Sequence, residues 1–203
     1  MTKGHIKTLG SSNHTEQVRE INDYYATNSD DVKIFLDKLQ QDGIILKNTI
    51  LEPACGQGHI SDVLIAKGHT VQSSDLIDRG YGLELDYLTS PLKSWQGDII
   101  TNPPFKFASE FIYRSMDLLE NGGLLLLLLP LRYLETKTRY ALFQSFMPKY
   151  IYTYSYRIGI GKSGEFNGGN AVAYCWFIWE KGFNKESIIR FIPNPKWTSR
   201  GAE

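Results

Sequence analysis

Six consecutive leucines at positions 124–129, set between Gly122-Gly123 and Pro130, constrain the fold of this chain more than any other feature. A strand with one face in water alternates apolar and polar side chains, and this run has no polar alternate. It is far too short to cross a bilayer as a helix. Bounded by turn residues, it reads as a strand covered on both faces, as in the middle of a parallel sheet. The flanking segments supply the covering layers. Residues 49–53 read as a strand, Gly56-Gln57-Gly58 as a tight turn, and Ile60, Val63, Leu64 and Ile65 as the apolar side of the next helix. Strands are expected at 69–74, near 82–85 and at 98–101, then a helix at 107–119, the leucine strand, and a helix at 136–146. Upstream, Ser29 or Asp30 is expected to cap a helix carrying Val32, Phe35, Leu36 and Leu39 on one side and stopping near Gly43.

Residues 150–156 and 171–180 read as two long strands joined by a glycine-rich loop without a helix, which implies an antiparallel pair at the sheet edge. Residues 188–192 add a last edge strand. The expectation is an α/β fold: a seven-stranded, mostly parallel sheet with an antiparallel edge hairpin and helices on both faces. A chain of 203 residues suits one domain with a real core. That domain is placed at 23–203, behind a loose N-terminal extension at 1–22 with a short helix around 15–22.

Lysine plus arginine number 22, and so do aspartate plus glutamate. Zero net charge argues against tight, non-specific binding of nucleic acid by the whole surface, and leaves room for a basic face opposite an acidic one. Cys55 and Cys175 stand in unrelated apolar contexts and the four histidines are scattered. Neither a disulfide framework nor metal-ligand spacing is present, so no metal is expected, and the setting is a reducing, cytoplasmic one. The first residues lack the apolar core of a secretory signal, and no membrane association is expected.

The chemistry concentrates at Asn102-Pro103-Pro104-Phe105, directly after the apolar strand at 98–101. Two prolines fix the backbone and remove two N–H donors, and Pro103 is held extended by the proline after it. What remains is a rigid wall of acceptors, the Asn102 side-chain oxygen and the Pro103 carbonyl, with a flat ring beside them. Such a wall suits a planar amino group, whose two N–H donors meet two acceptors while the Phe105 ring stacks on the base or amide face. This tetrapeptide resembles the catalytic motif of the S-adenosylmethionine-dependent methyltransferases that modify exocyclic amino groups, chiefly adenine in DNA. By that resemblance Asn102, Pro103, Pro104 and Phe105 are the catalytic residues.

A second segment, Glu52-Pro53-Ala54-Cys55-Gly56-Gln57-Gly58, leads from the first strand of the alternating series into the next helix. In open α/β sheets ligands bind at the carboxyl ends of strands, and the glycines let a ligand approach the backbone. A dinucleotide fingerprint wants a further glycine where Ser61 stands, and Glu52 would sit badly beside a pyrophosphate. The acid suits an ammonium group, so a ligand with a carboxylate, an ammonium and an adenosine fits better: S-adenosylmethionine. The segment is similar to the first motif of the same family. Asp75, at the end of the next strand, is placed to take both ribose hydroxyls, although helix caps and turns also use aspartate there; Leu76 follows it in the cofactor set. Asp86, beside Tyr87, resembles the family residue that accepts the cofactor adenine's amino group, with a solvated loop acid as the alternative. Tyr25 and Thr27 look similar to an N-terminal segment that closes over the methionine moiety, with a core tyrosine as the alternative; Asn102 completes the cofactor set.

Arg132 should emerge from the leucine strand onto the same crevice, where a phosphate contact is expected. The glycine-rich loop with Lys162 and Asn170 is a candidate for substrate contact beside Phe105. A P-loop reading of 159–164 fails, because the first glycine of that motif would fall at Tyr156 and a strand follows. The resemblance covers about 24–182, and Tyr174-Cys175-Trp176-Phe177 with the residues that follow resembles small phage-type members of the family. It implies a Rossmann-like methyltransferase fold and methyl transfer to adenine in DNA, with little or no dedicated target-recognition domain. RNA, cytosine or a protein glutamine amide are the alternatives for the same chemistry. A cofactor-binding or scaffold protein without catalysis is the alternative of another class.

Overall fold

The computed structural model describes residues 25–161 and 172–198. Strand β1 (Ala26–Thr27) precedes helix α1 (Ser29–Gln41). There follow β2 (Thr49–Glu52), α2 (His59–Ala66), β3 (Thr70–Asp75), β4 (Leu83–Glu84) and β5 (Asp98–Thr101). Helix α3 (Ala108–Leu118), β6 (Leu124–Pro130), α4 (Lys137–Ser145) and β7 (Tyr150–Tyr154) continue the alternation. Strands β8 (Ile160–Gly161), β9 (Tyr174–Glu180) and β10 (Ile188–Ile192) complete it. The predicted N-terminal extension and its helix lie outside the described residues, as do Lys162 and Asn170.

Eight strands form one sheet in the order β10-β7-β9-β6-β5-β2-β3-β4. The architecture is the expected α/β one, with one strand more than the seven anticipated. The leucine strand lies inside it, between β5 and β9. Its alternate residues do pack on opposite sides: Leu125, Leu127 and Leu129 join Ile99, Phe177 and Trp179, whereas Leu124, Leu126 and Leu128 join Phe35, Trp176 and Ile178. The expected antiparallel pair, β7 with β9, lies towards one edge of the sheet, with a difference only in which strand is outermost. β9 pairs antiparallel with β6 on one side and with β7 on the other, and β10, parallel to β7, forms the rim. Composition explains the difference. Tyr174, Cys175, Trp176, Phe177, Ile178 and Trp179 are all buried and need cover on both faces, whereas Ile188, Ile189 and Phe191 of β10 are exposed.

The cap of helix α1 lies one residue before the earlier of its two predicted caps. Asn28 is the N-cap and its side chain accepts from the Asp30 N–H at 2.8 Å. Asp30 and Asp31 in the first turn face the positive end of the helix dipole. The apolar side is the expected one, and Phe35 stacks on Trp176 at 4.4 Å with the rings 4° from parallel. Strands β1 and β8 form a separate two-stranded antiparallel ribbon where the sequence suggests only a break and a loop. Two residues per strand carry no periodicity. The ribbon is held from α1 by Asp31, whose carboxylate accepts from the Tyr156 hydroxyl at 2.9 Å and the Gly159 N–H at 3.2 Å.

The opposite end of the sheet is tied by a single carboxylate. Asp98, almost fully buried, accepts from the Lys47 N–H at 2.6 Å and the Leu124 N–H at 2.8 Å, and so joins the entries to β2, β5 and β6. Asp98→Ala leaves both N–H groups without that acceptor. At roughly 1–3 kcal/mol for each buried orphan, stability should fall by about 2–6 kcal/mol, with Asp98→Asn falling less. The urea midpoint, compared at an unchanged m-value, measures it.

Candidate active site

Strands β2, β3 and β5 end at one cleft, with a cavity of ≈ 190 Å³. Their exits are cross-linked by the main chain: the Cys55 N–H donates to the Ser74 carbonyl at 2.9 Å, and the Thr101 hydroxyl to the Ala54 carbonyl at 3.3 Å. Every cofactor position read from the sequence borders this cleft except Gly56 and Gly58, which form the turn behind it. Gly56 and Gly58 have φ of 54° and 84°. Gly58 opens α2, and a Cβ there would stand 2.3 Å from the Tyr81 ring, whose hydroxyl donates to Asp62 at 2.8 Å.

Three carboxylates border the cleft in different surroundings. Glu52 is the most enclosed, 1% exposed at the end of β2. Its carboxyl accepts from the Ser61 hydroxyl, which also meets the Ser73 hydroxyl at 2.6 Å. Burial raises its pKa well above the ordinary glutamate value, against the opposing effect of Ser61 and with further upward contributions from Asp75 and Asp62. In sequence Ser61 stands out only as a departure from the dinucleotide fingerprint. In the fold it is wholly buried and is the partner of Glu52. Asp75 holds the glycine turn, accepting from the Gly56 N–H at 2.8 Å and the Ile77 N–H at 3.1 Å. Asp86 caps a turn, accepting from the Leu88 N–H at 3.0 Å and the Thr89 hydroxyl at 2.9 Å, and still borders the cleft. Tyr87 is buried, with its hydroxyl 2.7 Å from that of Ser115 and its ring 5.0 Å from Phe111. The Cys55 thiol is pushed up to about 12, first by burial and then by Glu52 and Asp75, so its sulfur stays protonated.

Asn102 leaves β5 towards the N-terminal ribbon. Its Nδ2 donates to the Tyr25 carbonyl at 3.0 Å and to the Thr27 hydroxyl at 3.1 Å. The carbonyl can only accept, so the amide nitrogen must face it and Oδ1 takes the other side. Oδ1 is buried and meets no donor among the described residues. Pro103 is buried and Pro104 borders the cleft. The turn after them uses the Pro104 and Phe105 carbonyls, which accept from the Phe107 and Ala108 N–H groups, and not that of Pro103. Phe105 is half-buried and stands between two tyrosines: Tyr25 at 5.7 Å and 13° between planes, Tyr174 at 5.8 Å and 39°.

Arg132 does not enter the cleft. It is exposed on the 3-10 turn Leu131–Leu134, where its charge acts on the Tyr174 hydroxyl beside Phe105. Sequence reasoning missed Arg79, Lys106, Phe107 and Phe111, which also border the cleft. The Lys106 ammonium lies 4.8 Å from the Phe107 ring centre. Adjacency to the proline motif was the available signal for Lys106 and Phe107. Among the described residues, no group of three His, Cys, Asp or Glu side chains is placed to hold a metal ion, and no helix is long and apolar enough to cross a membrane.

No protein-family model and no curated protein matches this chain. Solved structures do match. A Listeria monocytogenes protein assigned by inference to the class I S-adenosylmethionine-dependent methyltransferases aligns at a TM-score of 0.60 and 18% identity, over 92% of this chain and 71% of that one. The fold is that of the class I methyltransferases. A Pyrococcus horikoshii protein assigned by inference to the RNA methyltransferases aligns at 0.58 and 13% identity, over 79% of this chain and 88% of that one. The methyltransferase subunit of a type I restriction-modification system from Streptococcus thermophilus aligns at 0.58 and 12% identity, over 86% of this chain and 48% of that one, so this chain spans about half its length. At such identities the likeness establishes the fold and leaves reaction and substrate to the site.

The glycine turn is the part of the site with least room for change. Gly58→Ala should cost about 1–2 kcal/mol for the left-handed backbone alone, and should also displace Tyr81. Thermal unfolding measures the first effect, and a changed Tyr81 environment in near-ultraviolet circular dichroism the second.

Proposed function

We propose that this chain transfers the methyl group of S-adenosylmethionine to the exocyclic amino nitrogen of adenine in DNA. One observation carries the reading: the buried Asn102 Oδ1, an acceptor without a donor among the described residues, beside a proline pair that contributes no donor of its own. Buried acceptors are ordinarily paired, and this one belongs to a residue that borders the cleft. An incoming amino group supplies the missing N–H, and the Pro103 carbonyl takes the second.

Two bonds of this kind draw the amino nitrogen from planar towards tetrahedral geometry and free a lone pair otherwise delocalised into the ring. Neither oxygen is basic enough to remove a proton, so the surplus proton leaves after methyl transfer, to water. The bound cofactor supplies an already activated methyl on a sulfonium, which leaves positioning and electrostatics to the protein. The cleft suits that cofactor. Glu52 is a buried carboxyl held by hydroxyl groups, with Asp75 raising its pKa further, so the local field favours a cationic group and opposes a pyrophosphate. In this reading Asp75 takes the ribose hydroxyls and Asp86 with Tyr87 the adenine end; all three border the cleft. Phe105 and Arg132 are the proposed substrate contacts among the described residues, Phe105 by stacking on the target base and Arg132, outside the cleft, by a phosphate contact. In duplex DNA that base must first leave the helix.

The motif after β5 favours DNA adenine. RNA is the second reading, favoured by the alignment with the Pyrococcus horikoshii protein. Labelled cofactor incubated with DNA and with RNA, followed by nucleoside mass spectrometry, separates them: N6-methyladenine from DNA is expected, and label confined to RNA overturns the substrate. Asn102→Ala should lower kcat, measured at saturating cofactor, by about 100-fold or more, the scale for losing one preorganised group in a transition state.

Glu52 gives a pH dependence with a definite sign. Its pKa is raised in the free protein, and a neighbouring ammonium lowers it on binding, so binding releases a proton between the two values. Cofactor affinity should therefore weaken as pH falls through the free-protein value and level off above it. Titration calorimetry in buffers of different ionisation enthalpy measures the released proton, and Glu52→Gln should abolish it.

A further inference from the structure

We propose that the free edge of β10 is a two-fold interface at which this chain pairs with a second copy of itself. Among the described residues no strand lies on the outer side of β10, the rim of the eight-stranded sheet. Its inner side is taken: the Ile188 N–H donates to the Lys149 carbonyl at 3.0 Å, and the Ile192 carbonyl accepts from the Ser155 N–H at 2.9 Å. Main-chain groups alternate sides along a strand, so Ile188, Arg190 and Ile192 turn theirs to β7 while Ile189 and Phe191 turn theirs to the open edge. The same two residues carry apolar side chains that are 59% and 64% exposed. Ile192 packs with the residues on the α1 side of the sheet, so Ile189 and Phe191 stand together on the other side.

Antiparallel pairing about a two-fold axis at Arg190 sets Ile189 against the partner's Phe191 and Phe191 against the partner's Ile189. Each pair then exchanges both of its N–H···O=C bonds, and each exposed apolar side chain meets another. Centred one residue later, the pairing would set Ile189 against the partner's Pro193, which has no N–H to give. Centred one residue earlier, it would set Phe191 against the partner's Ser187. Open bonds alone would take any strand; the match of Ile189 to Phe191 about one axis selects a second copy. Edge strands are ordinarily blunted by a charge, a proline or a bulge. The one charge in β10, Arg190, is drawn back onto its own body, where its guanidinium meets the Asp42 carboxylate at 3.2 Å and lies 5.3 Å from the Tyr150 ring centre. Asp42 thereby offsets the like charges that the axis brings together. Ile188 and Trp197, 49% and 58% exposed, extend the apolar surface along the chain in both directions. With about 100 Å² open on each of these four side chains, two protomers offer at most about 800 Å² of apolar side chain. That is less than the roughly 1,200 Å² of a stable interface, so the dimer is concentration-dependent and not obligate. Strand direction reverses across the axis, and the two clefts therefore open at opposite edges of the joined sheet.

Sedimentation equilibrium of the full chain, from micromolar to submillimolar concentration, tests this. The mass should rise from 23.1 kDa towards twice that value. Ile189→Lys combined with Phe191→Lys sets lysine against lysine and should weaken the dimer by about tenfold or more; the thermal midpoint should not change, since both positions are exposed. Mixing reads the register. Ile189→Lys and Phe191→Glu, each weaker than wild type alone, should bind one another about fivefold more tightly than either binds itself. This arm stands by itself should the doubly substituted chain fail to fold. A wild type that stays at 23.1 kDa throughout overturns the proposal and leaves the edge to a strand of other origin. A dimer that the two lysines do not weaken overturns it as well, as does a mixture in which the single variants show no preference for each other.

Discussion

An asparagine side chain at the end of β5 is held by a strand of two residues from the start of the described chain, and the arrangement of the site turns on that contact. Asn102 gives both amide protons to the β1 segment and keeps its oxygen buried without a donor among the described residues. Such an acceptor persists only where surrounding structure over-determines it. The sheet holds β5 from one side, with β2 and β6 as neighbours, and the Asp31 anchor holds the ribbon from the other. The prolines that follow supply no N–H that could satisfy the oxygen locally. Rigidity of the two supports and silence of the prolines together keep a polar atom available in a place where one would ordinarily be quenched.

The cleft complements this with charge. Glu52, Asp75 and Asp86 border it within one cavity. Each is restrained differently, Glu52 by hydroxyls, Asp75 by the N–H groups of Gly56 and Ile77, and Asp86 by the turn it caps. Burial falls most heavily on Glu52. A cationic ligand relieves that strain and an anionic one deepens it, so the same acids that shape the turns also select the sign of what enters. Asn102 and Glu52 sit at the ends of strands that both pair with the sheet interior, which makes their separation a property of the core and not of a loop.

Much of this was legible in the residues, and the parts that were not share a cause. The leucine strand announced two-sided burial because it has no polar alternate. Asn102 was legible because two prolines after a strand leave few other readings. The helix with Val32, Phe35, Leu36 and Leu39 followed from spacing, with its start displaced from Ser29 or Asp30 to the cap at Asn28. What sequence could not supply was partnership across distance. Nothing local to Asn102 says that Tyr25 and Thr27 hold it, nor does anything near position 61 say that its hydroxyl answers Glu52. The place of β9 within that expected antiparallel side is a finer point. A hairpin with β7 was expected and is present, but pairing order does not say which partner lies outside. The decisive signal was its own composition, apolar and aromatic on both faces.

That interior position of β9 bears on how the chain reaches its native state. The leucine strand faces β5 on one side and β9 on the other, and β9 is separated from it by about fifty residues of sequence. During synthesis the most apolar strand of the molecule therefore waits with a bare hydrogen-bonding edge until position 180 has been made. Contacts of such long range form slowly, and an exposed edge of this kind is a template for pairing with other chains. An unpaired edge of this kind stays open to misassembly until Trp176 and Trp179 seal the middle of the sheet.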